Sequence, residues 1–372
     1  MAETLRVEKG EILSYRVFDV GAEIDLDAAE VPCAHMTPRR ATISADPPHV
    51  FDLAHPPLVV DIGKRAVTLA ATGGPVEVHL SARLFDYGAV SVQAAIPIAA
   101  GTELAKLLPL CDEVYESTAL EKLARAEVEK LLATITKAVK GRHDWKGAES
   151  YTVLFLTQLG VGWTAKDLLA WEPLAKLLIG EPRDKKLSDS EARDVLKHAH
   201  SYFEDDLAVI DWNSAIVLEP SGSRAIPEIL EFATSQLLEL RYYDGVFDRE
   251  LARIYDDLGE VRRGPFTIFR DPYLRLGKAV LRRLVELTEF TERVDNSLKI
   301  IGDFYLARVY QSAVRRFRIG AWQSSINEKQ QLVAQAYGFI RGEIESRRSV
   351  LLEVIVILLI LAEFVNALRA GH

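Results

Sequence analysis

The sequence predicts an α+β protein, with an N-terminal α/β head followed by long C-terminal helices and a terminal apolar helix. The first hundred residues are dense in Val, Ile, Tyr, Phe and Thr, as strands are. Residues 274–348 contain no proline, and their apolar positions recur at steps of three and four. Residues 350–368 are almost wholly apolar. We therefore divide the chain into a first α/β unit (1–147), a second α/β unit with helices (148–261), a helical stalk or hairpin (274–348) and the apolar helix.

Composition limits the classes of function that the chain can have. The formal net charge of −9 argues against a nucleic-acid-binding surface as the main role, although it leaves room for a local basic patch. Cys33 and Cys111 are the only cysteines, so no disulfide framework is expected and a reducing compartment is the default. The first residues, MAETLRVEKG, have neither the apolar run of a secretory signal nor the arginines of a mitochondrial presequence. We expect the bulk of the protein in the cytoplasm.

Two hairpins are predicted, and their sequences are similar. Residues 76–98 predict one pair of strands, and residues 207–218 predict another. Each turn has an Asp, an aromatic residue and then a residue that tolerates left-handed geometry, as Asp86-Tyr87-Gly88 and Asp211-Trp212-Asn213. The similarity indicates two related α/β units, or else two hairpins that are alike by chance.

The remaining elements are predicted to be helical. Residues 188–203 and 225–258 have helical spacing. In the stalk, apolar residues including Leu298, Ile301 and Tyr305 recur with the spacing of a coiled-coil seam. Long helices cannot bury their faces alone, so we expect the stalk to pair within the chain or with other copies of it. Gly320 and Gly342 are the expected points of a bend.

The tail is the most informative segment. Between residues 350 and 368 only Glu353, Glu363 and Asn366 are strongly polar, and a helix of this length spans about 28 Å, close to the hydrocarbon thickness of a bilayer. Arg347 and Arg348 precede it. By the positive-inside tendency, we expect a single C-terminal span in the cell membrane with the N-terminal domain cytoplasmic.

A soluble alternative stays open for the tail. An acidic residue at the centre of a spanning helix costs about 2.5 to 3.5 kcal/mol, although Glu353 and Glu363 lie nearer the two ends, where the cost is lower. The same apolar sequence would also suit a central helix buried in an oligomeric bundle, with both glutamates facing outward or paired.

Several motifs resemble a known family. Residues 315–329, the charged connector 343–349 and the apolar run 352–363, with its two glutamates, follow the pattern of the domain-of-unknown-function 155 family. Residues 85–90, Phe-Asp-Tyr-Gly-Ala-Val, resemble its strand motif. The family includes the proteins required for meiotic nuclear division, and this chain resembles a distant bacterial branch of it. The resemblance implies a membrane-anchored, non-enzymatic protein that oligomerises.

The residues give no catalytic signature. His198 and His200 would diverge on a helix and could not share an ion there. The pair Cys33 and His35 lacks a second pair at zinc spacing. The sequence contains no glycine-rich phosphate loop of the known patterns and no nucleophile elbow. We expect no enzymatic activity, no cofactor and no metal.

Three functions are consistent with these patterns. The first is a tail-anchored, homo-oligomeric scaffold or adaptor, which contacts lipid through residues 350–368 and an unknown protein partner through its head. The second is a subunit of an ion channel or transporter resembling the CorA-like channels, in which Glu353, Glu363 and Asn366 would be the polar groups to test. The third is a soluble helical assembly with a buried apolar tail. The cluster Arg315, Arg316 and Arg318 could contact lipid head groups or ribosomal RNA, but such runs are more often solvated.

Overall fold

The computed structural model describes residues 5–41, 56–179, 187–263 and 304–370, together with the helical residues 277–278, 281–282 and 285. The chain forms two compact units. The head unit contains residues 1–242 and 296–321, and the helical unit contains residues 243–295 and 322–372. The predicted seam residues Leu298 and Ile301 lie outside the described residues.

The head unit is built on one ten-stranded sheet. Its strands are β1 (Arg6–Asp19), β3 (Arg39–Arg40), β4 (Leu58–Leu69), β5 (Gly74–Leu84), β6 (Ala89–Pro97), β7 (Thr102–Glu103), β9 (Ala148–Leu159), β10 (Ala199–His200), β11 (Leu207–Ile210) and β12 (Ser214–Leu218). The order is β10-β11-β12-β9-β1-β6-β5-β4-β3, with β7 paired to the start of β1. A small second sheet joins β2 (Glu23–Ile24) to β8 (Val139–Lys140). The α+β fold class is confirmed.

The central strands explain how the head is held together. The long strand β1 pairs antiparallel with β6 on one side and with β9 on the other. The pair formed by β9 and β12 is parallel, and every other pair in the sheet is antiparallel. Because β9 lies beside β1, the boundary predicted between residues 147 and 148 falls inside a single sheet. The two sequence blocks contribute neighbouring strands to one core.

Both predicted hairpins are confirmed. The strands β5 and β6 pair across the turn at residues 85–88, and β11 pairs with β12 across the turn at residues 211–213. Gly88 requires glycine, because its φ is +99° and an added Cβ would lie 1.7 Å from the Gly21 carbonyl oxygen.

Helices cover the sheet. They are α1 (Leu26–Glu30), α2 (Leu104–Tyr115), α3 (Thr118–Thr134), α4 (Ala165–Ala170), α5 (Leu174–Ile179), α6 (Asp189–Leu196), α7 (Ala225–Arg263), α8 (Phe304–Arg316) and α9 (Ile319–Ala370). Alternate residues of β1 contact different layers. Arg16 donates to the carbonyl oxygens of Val114 and Tyr115 at the end of α2, whereas Tyr15 lies near Glu231 and Glu228 of α7. Strand alternation therefore buries both faces of the central sheet.

Two helical predictions need correction. The helix predicted over residues 188–203 ends at Leu196, and the chain then forms the edge strand β10. The backbone there pairs with β11, and this tertiary pairing overrides the local helical pattern. The stalk breaks between α8 and α9 at Arg318, whose φ is +55°, rather than at Gly320 two residues later. The helix α9 continues through Gly342 without a break.

The helical unit contains the end of α7, residues 277–278, 281–282 and 285, and most of α9. Lys329 of α9 lies 2.8 Å from an Asp244 oxygen and 2.6 Å from an Asp248 oxygen, both on α7. Ser325 donates to Asp244 at 2.8 Å. Gly277 lies against Ile340, where an added Cβ would approach to 3.3 Å. Polar and apolar contacts thus join the helices of this unit along the first half of α9.

Candidate functional site

From Val350 to Val365, α9 is almost wholly apolar and its large side chains are exposed. Residues 319–366 contain an 18-residue window of mean hydropathy 2.4, and none of that window is buried. Large apolar side chains from Val350 to Val365 are exposed, among them Leu352 at 62% and Phe364 at 63%. By length and composition, this helix could cross a membrane, which confirms that part of the prediction. In water, such a surface would be strongly unfavourable.

The polar residues of the tail share one side of the helix. At about 100° per residue, Glu363 and Asn366 lie about 280° and 220° around the helix from Glu353, so the three fall within an arc of about 140°. The opposite side of residues 350–366 has only apolar side chains. An apolar side can face lipid, while ionisable groups in a span usually face protein or water.

The structure separates the predicted site residues into three groups. Glu353, Glu363 and Asn366 lie exposed on α9. Arg347 and Arg348 lie in the same helix, just before the apolar run. Tyr305 lies in α8, where it is 9% exposed and its ring centroid is 5.3 Å from that of Tyr202. Its side chain is thus occupied within the head unit.

The head carries a buried ion cluster that sequence reasoning missed. Arg83 of β5 lies 2.9 Å from a Glu228 oxygen and 3.0 Å from a Glu231 oxygen, and both glutamates belong to α7. The Arg83 and Glu231 side chains are 7% and 2% exposed. Burial raises the pKa of Glu231, while the Arg83 charge acts to lower it. The cluster joins α7 to the sheet, and no sequence motif announces it because its members are about 145 residues apart.

A second buried charge lies in the turn of the second hairpin. Asp211 is fully buried and pairs with Arg316 at the end of α8. The backbone N–H of Trp212 donates to the same carboxylate at 2.8 Å. The Tyr151 hydroxyl lies 2.9 Å from the Asp211 carbonyl oxygen and 2.7 Å from that of Ser214. This network fixes α8 against the sheet.

A small cavity opens beside this turn. Cys111, Tyr115, Thr152 and Ser214 are among its lining residues, and it has space for roughly one water molecule. Thr152 Oγ1 and the Tyr115 hydroxyl are buried and have no hydrogen-bond partner in the described part of the chain. Burial raises the pKa of Cys111 to about 12, so its thiol stays protonated and is a poor nucleophile. The cavity suits a structural water better than a substrate.

A third polar cluster surrounds Asp19 at the end of β1. His143 Nε2 lies 3.0 Å from Asp19 Oδ1, and the His143 ring stacks on Tyr242 with centroids 4.3 Å apart. The Gly21 N–H donates to the same carboxylate. Burial raises the pKa of Asp19, although His143 and the Gly21 hydrogen bond act to lower it. His143 Nδ1 lies 3.5 Å from the backbone nitrogen of Trp145, so both imidazole nitrogens have polar neighbours. We therefore interpret the Asp19–His143 contact as structural.

The raised pKa of Asp19 predicts a pH dependence. An unfolded Asp titrates near about 3.9, so the folded protein holds the proton to higher pH and loses stability as pH rises through the folded pKa. Asp19→Asn should remove this component, which the difference in urea midpoint from wild type would show as the pH rises above about 4. Asp167→Asn is a control in which the stability difference from wild type should change with pH in the opposite direction, because hydrogen bonds from Thr164 lower the pKa of Asp167. A pH-independent difference for the Asp19 variant would contradict the prediction.

The two histidines considered for metal binding lie at the sheet edge, not on a helix. His200 is in β10, and its Nε2 is 2.7 Å from Ser312 Oγ of α8. Burial and nearby arginines lower the pKa of both His198 and His200. Cys33 is buried in the head, and His35 lies in a short 3₁₀ turn. Within the ranges that the structure describes, no group of three or more His, Cys, Asp or Glu side chains could hold a metal ion.

Together, these features define a class of protein: an α+β head joined to long helices, one of which is apolar and long enough to span a bilayer. Residues 9–224, more than half of the chain, match the family described as "Uncharacterized protein MJ0711, N-terminal domain". The chain belongs to that family. It is 24% identical over 176 residues to the uncharacterized protein MJ0711 of Methanocaldococcus jannaschii, covering 47% of this chain and 53% of the relative. The similarity therefore spans about half of that relative's length. No solved structure matches the chain.

Proposed function

We propose that this protein is a non-enzymatic, membrane-anchored scaffold that presents its α+β head in the cytoplasm. One observation carries the proposal. The large apolar side chains of residues 350–365 are exposed at the end of a 52-residue helix, and a bilayer is the environment that such a surface fits best.

The charges beside the tail support an orientation. Arg347 and Arg348 come directly before the apolar run, and the side of a span that is richer in Lys and Arg tends to stay cytoplasmic. The head is N-terminal to these arginines. On this proposal, residues 350–368 form the single span of a cell-membrane protein, with the head on the cytoplasmic side.

The chemistry of the head supports binding rather than catalysis. Two sets of its buried ionisable groups, Arg83 with Glu231 and Asp211 with Arg316, are ion pairs. The cavity beside Asp211 has space for roughly one water molecule, and Cys111 within it is not activated. A partner protein would therefore meet the outer surface of the head.

The finer family resemblance belongs to the same proposal. The terminal apolar run at residues 352–363, with its two glutamates, resembles that of the domain-of-unknown-function 155 family. This resemblance implies a membrane-anchored protein that oligomerises. Self-association has a physical rationale here, because Glu353, Glu363 and Asn366 share one side of the tail. A second copy of the same helix could cover that side and leave the apolar side to lipid.

The polar side of the tail also favours a second candidate, an ion channel formed by several copies. The substitution Glu363→Leu separates the two. For a scaffold, it should preserve membrane attachment and cause no change in ion flux through reconstituted liposomes, because it only makes the span more apolar. Leu358→Ala, on the opposite side of the helix, is the matched control. A changed flux specific to the Glu363 variant would refute the scaffold and support the channel.

A further inference from the structure

A row of exposed arginines runs along α8 and into the turn that follows it. Arg308, Arg315 and Arg318 are exposed, and the first two are two helical turns, or about 10.5 Å, apart. None of the three forms an ion pair within the described part of the chain. Arg316, by contrast, points to Asp211 and Asp194 and is mostly buried. We call these three exposed residues the arginine row. Its charge is available to an external anion.

The neighbouring sheet edge adds to the positive character. Ser312 Oγ lies 2.7 Å from His200 Nε2 and accepts a hydrogen bond from Arg315 at 3.3 Å. Ser312 thus holds Arg315 beside β10. Burial is the largest cause that lowers the pKa of His200, and the charges of Arg308 and Arg315 lower it further. The arginines therefore create a positive field at this edge of the head.

Two exposed aromatic rings lie at the Arg308 end of this row. The Asp206 carboxylate accepts the backbone N–H of Tyr202 at 2.7 Å and that of Phe203 at 2.9 Å, which fixes the loop between β10 and β11. The Tyr202 and Phe203 side chains are nevertheless 62% and 66% exposed. Tyr202 contacts the Tyr305 ring, and the Arg308 guanidinium lies 5.8 Å from the centroid of that same ring. This loop thus displays two exposed aromatic rings close to Arg308, which forms no ion pair within the described part of the chain.

We infer that the arginine row, together with Tyr202 and Phe203, binds single-stranded nucleic acid without strong sequence preference. The guanidinium groups would neutralise successive phosphates, and the two rings would stack on unpaired bases. The net charge of −9 belongs to the whole chain and does not decide the local field. Exposed acidic residues, Glu204 and Asp205, adjoin the rings, so the phosphate contacts are assigned to α8.

The aromatic rings favour nucleic acid over an acidic protein segment. The carboxylates of an acidic peptide could also pair with the arginines. Such a peptide would not use the exposed rings of Tyr202 and Phe203, whose backbone is fixed by the buried Asp206. A duplex is less suitable than a single strand, since its bases are stacked on each other and cannot reach the rings. This inference goes beyond the scaffold function and does not depend on the membrane span.

Fluorescence anisotropy tests the inference with full-length protein in detergent micelles and a labelled oligouridine of about twelve nucleotides. Three phosphate contacts predict a slope of about −2 for the logarithm of the association constant against that of the salt concentration. Arg315→Ala should weaken binding and make this slope less negative by about 0.7. Phe203→Ala should weaken binding about tenfold without changing the slope. Arg142→Ala, which changes an exposed head arginine outside the row, should alter neither quantity.

Several results would overturn the inference. One is that the protein does not bind oligouridine at low salt. Another is that Arg142→Ala and Arg315→Ala weaken the affinity for oligouridine equally. Binding of an oligoglutamate peptide or of anionic vesicles in place of oligouridine would identify an acidic partner or a lipid surface instead. The substituted side chains are exposed, so circular dichroism should show that each variant keeps the wild-type fold.

Discussion

A chain that ends at Arg348 is expected to leave the membrane fraction. Full-length protein should remain in the pellet after high-salt and alkaline carbonate washes and dissolve only with detergent. The truncated chain should appear in the supernatant, because it loses the run of Leu, Ile and Val that makes insertion favourable. The loss of several kcal/mol of insertion free energy would change the partition more than about a hundredfold.

The fold should survive this truncation, which makes the comparison clean. The apolar window of the tail has no buried residue in the chain, so removing it uncovers no core. A full-length control with Leu352→Arg and Leu359→Arg keeps the length while adding two charges, each costing up to about 3.5 kcal/mol in a span. It should behave like the truncated chain. If instead all three chains were soluble, and truncation only reduced an oligomer to monomers, the tail would be a packing helix and the membrane proposal would fall.

Arg83→Met is expected to cause the largest loss of stability in the head. The substitution leaves Glu228 and Glu231 in a buried site without their cation. Removing one partner of a buried ion pair typically costs about 3 to 5 kcal/mol. Chemical unfolding at pH 7 would measure this loss. It should be smaller at acidic pH, because burial raises the pKa of Glu231 and protonation removes the unpaired charge.

Two controls isolate the buried cluster. Lys64→Met removes an exposed pair with Glu77, whose side chains are 67% and 64% exposed, and should cost less than about 1 kcal/mol. The triple variant with Arg83→Met, Glu228→Gln and Glu231→Gln should recover part of the loss, since it leaves no buried charge. Equal effects for Arg83→Met and Lys64→Met would show that the cluster does not hold α7 to the sheet.

Local patterns predicted local elements well and long-range partners poorly. The turns at Gly88 and Asn213 identified both hairpins, because the turn residues and the flanking β-branched residues act over a few positions. The position of β9 between β1 and β12 was not predictable, since pairing is set by the whole sheet. The same limit applies to residues 197–203, where pairing with β11 ends a helical pattern.

The candidate site shows the same division. The apolar tail is a property of consecutive residues, so the sequence alone revealed it. Arg83 and its two glutamates were missed because residues about 145 positions apart meet only in the fold. The apolar seam predicted for the stalk includes Tyr305, which the structure instead packs against Tyr202 of the head. At Tyr305, periodicity correctly indicated a buried position, but it could not say which element covers that side chain.

The membership of α8 in the head unit has a consequence for biosynthesis. Residues 296–321 belong to the head unit although residues 243–295 of the helical unit precede them in the sequence. Within this segment, Arg316 forms the ion pair with the buried Asp211. The ribosome synthesises the chain from its N-terminus. The Asp211 carboxylate therefore cannot pair with Arg316 until α8 has been made. Only residues 322–349 then separate the completed head from the start of the apolar tail. Folding of the head around Asp211 therefore cannot be completed until α8 has been made, when only a short part of α9 remains before the apolar run.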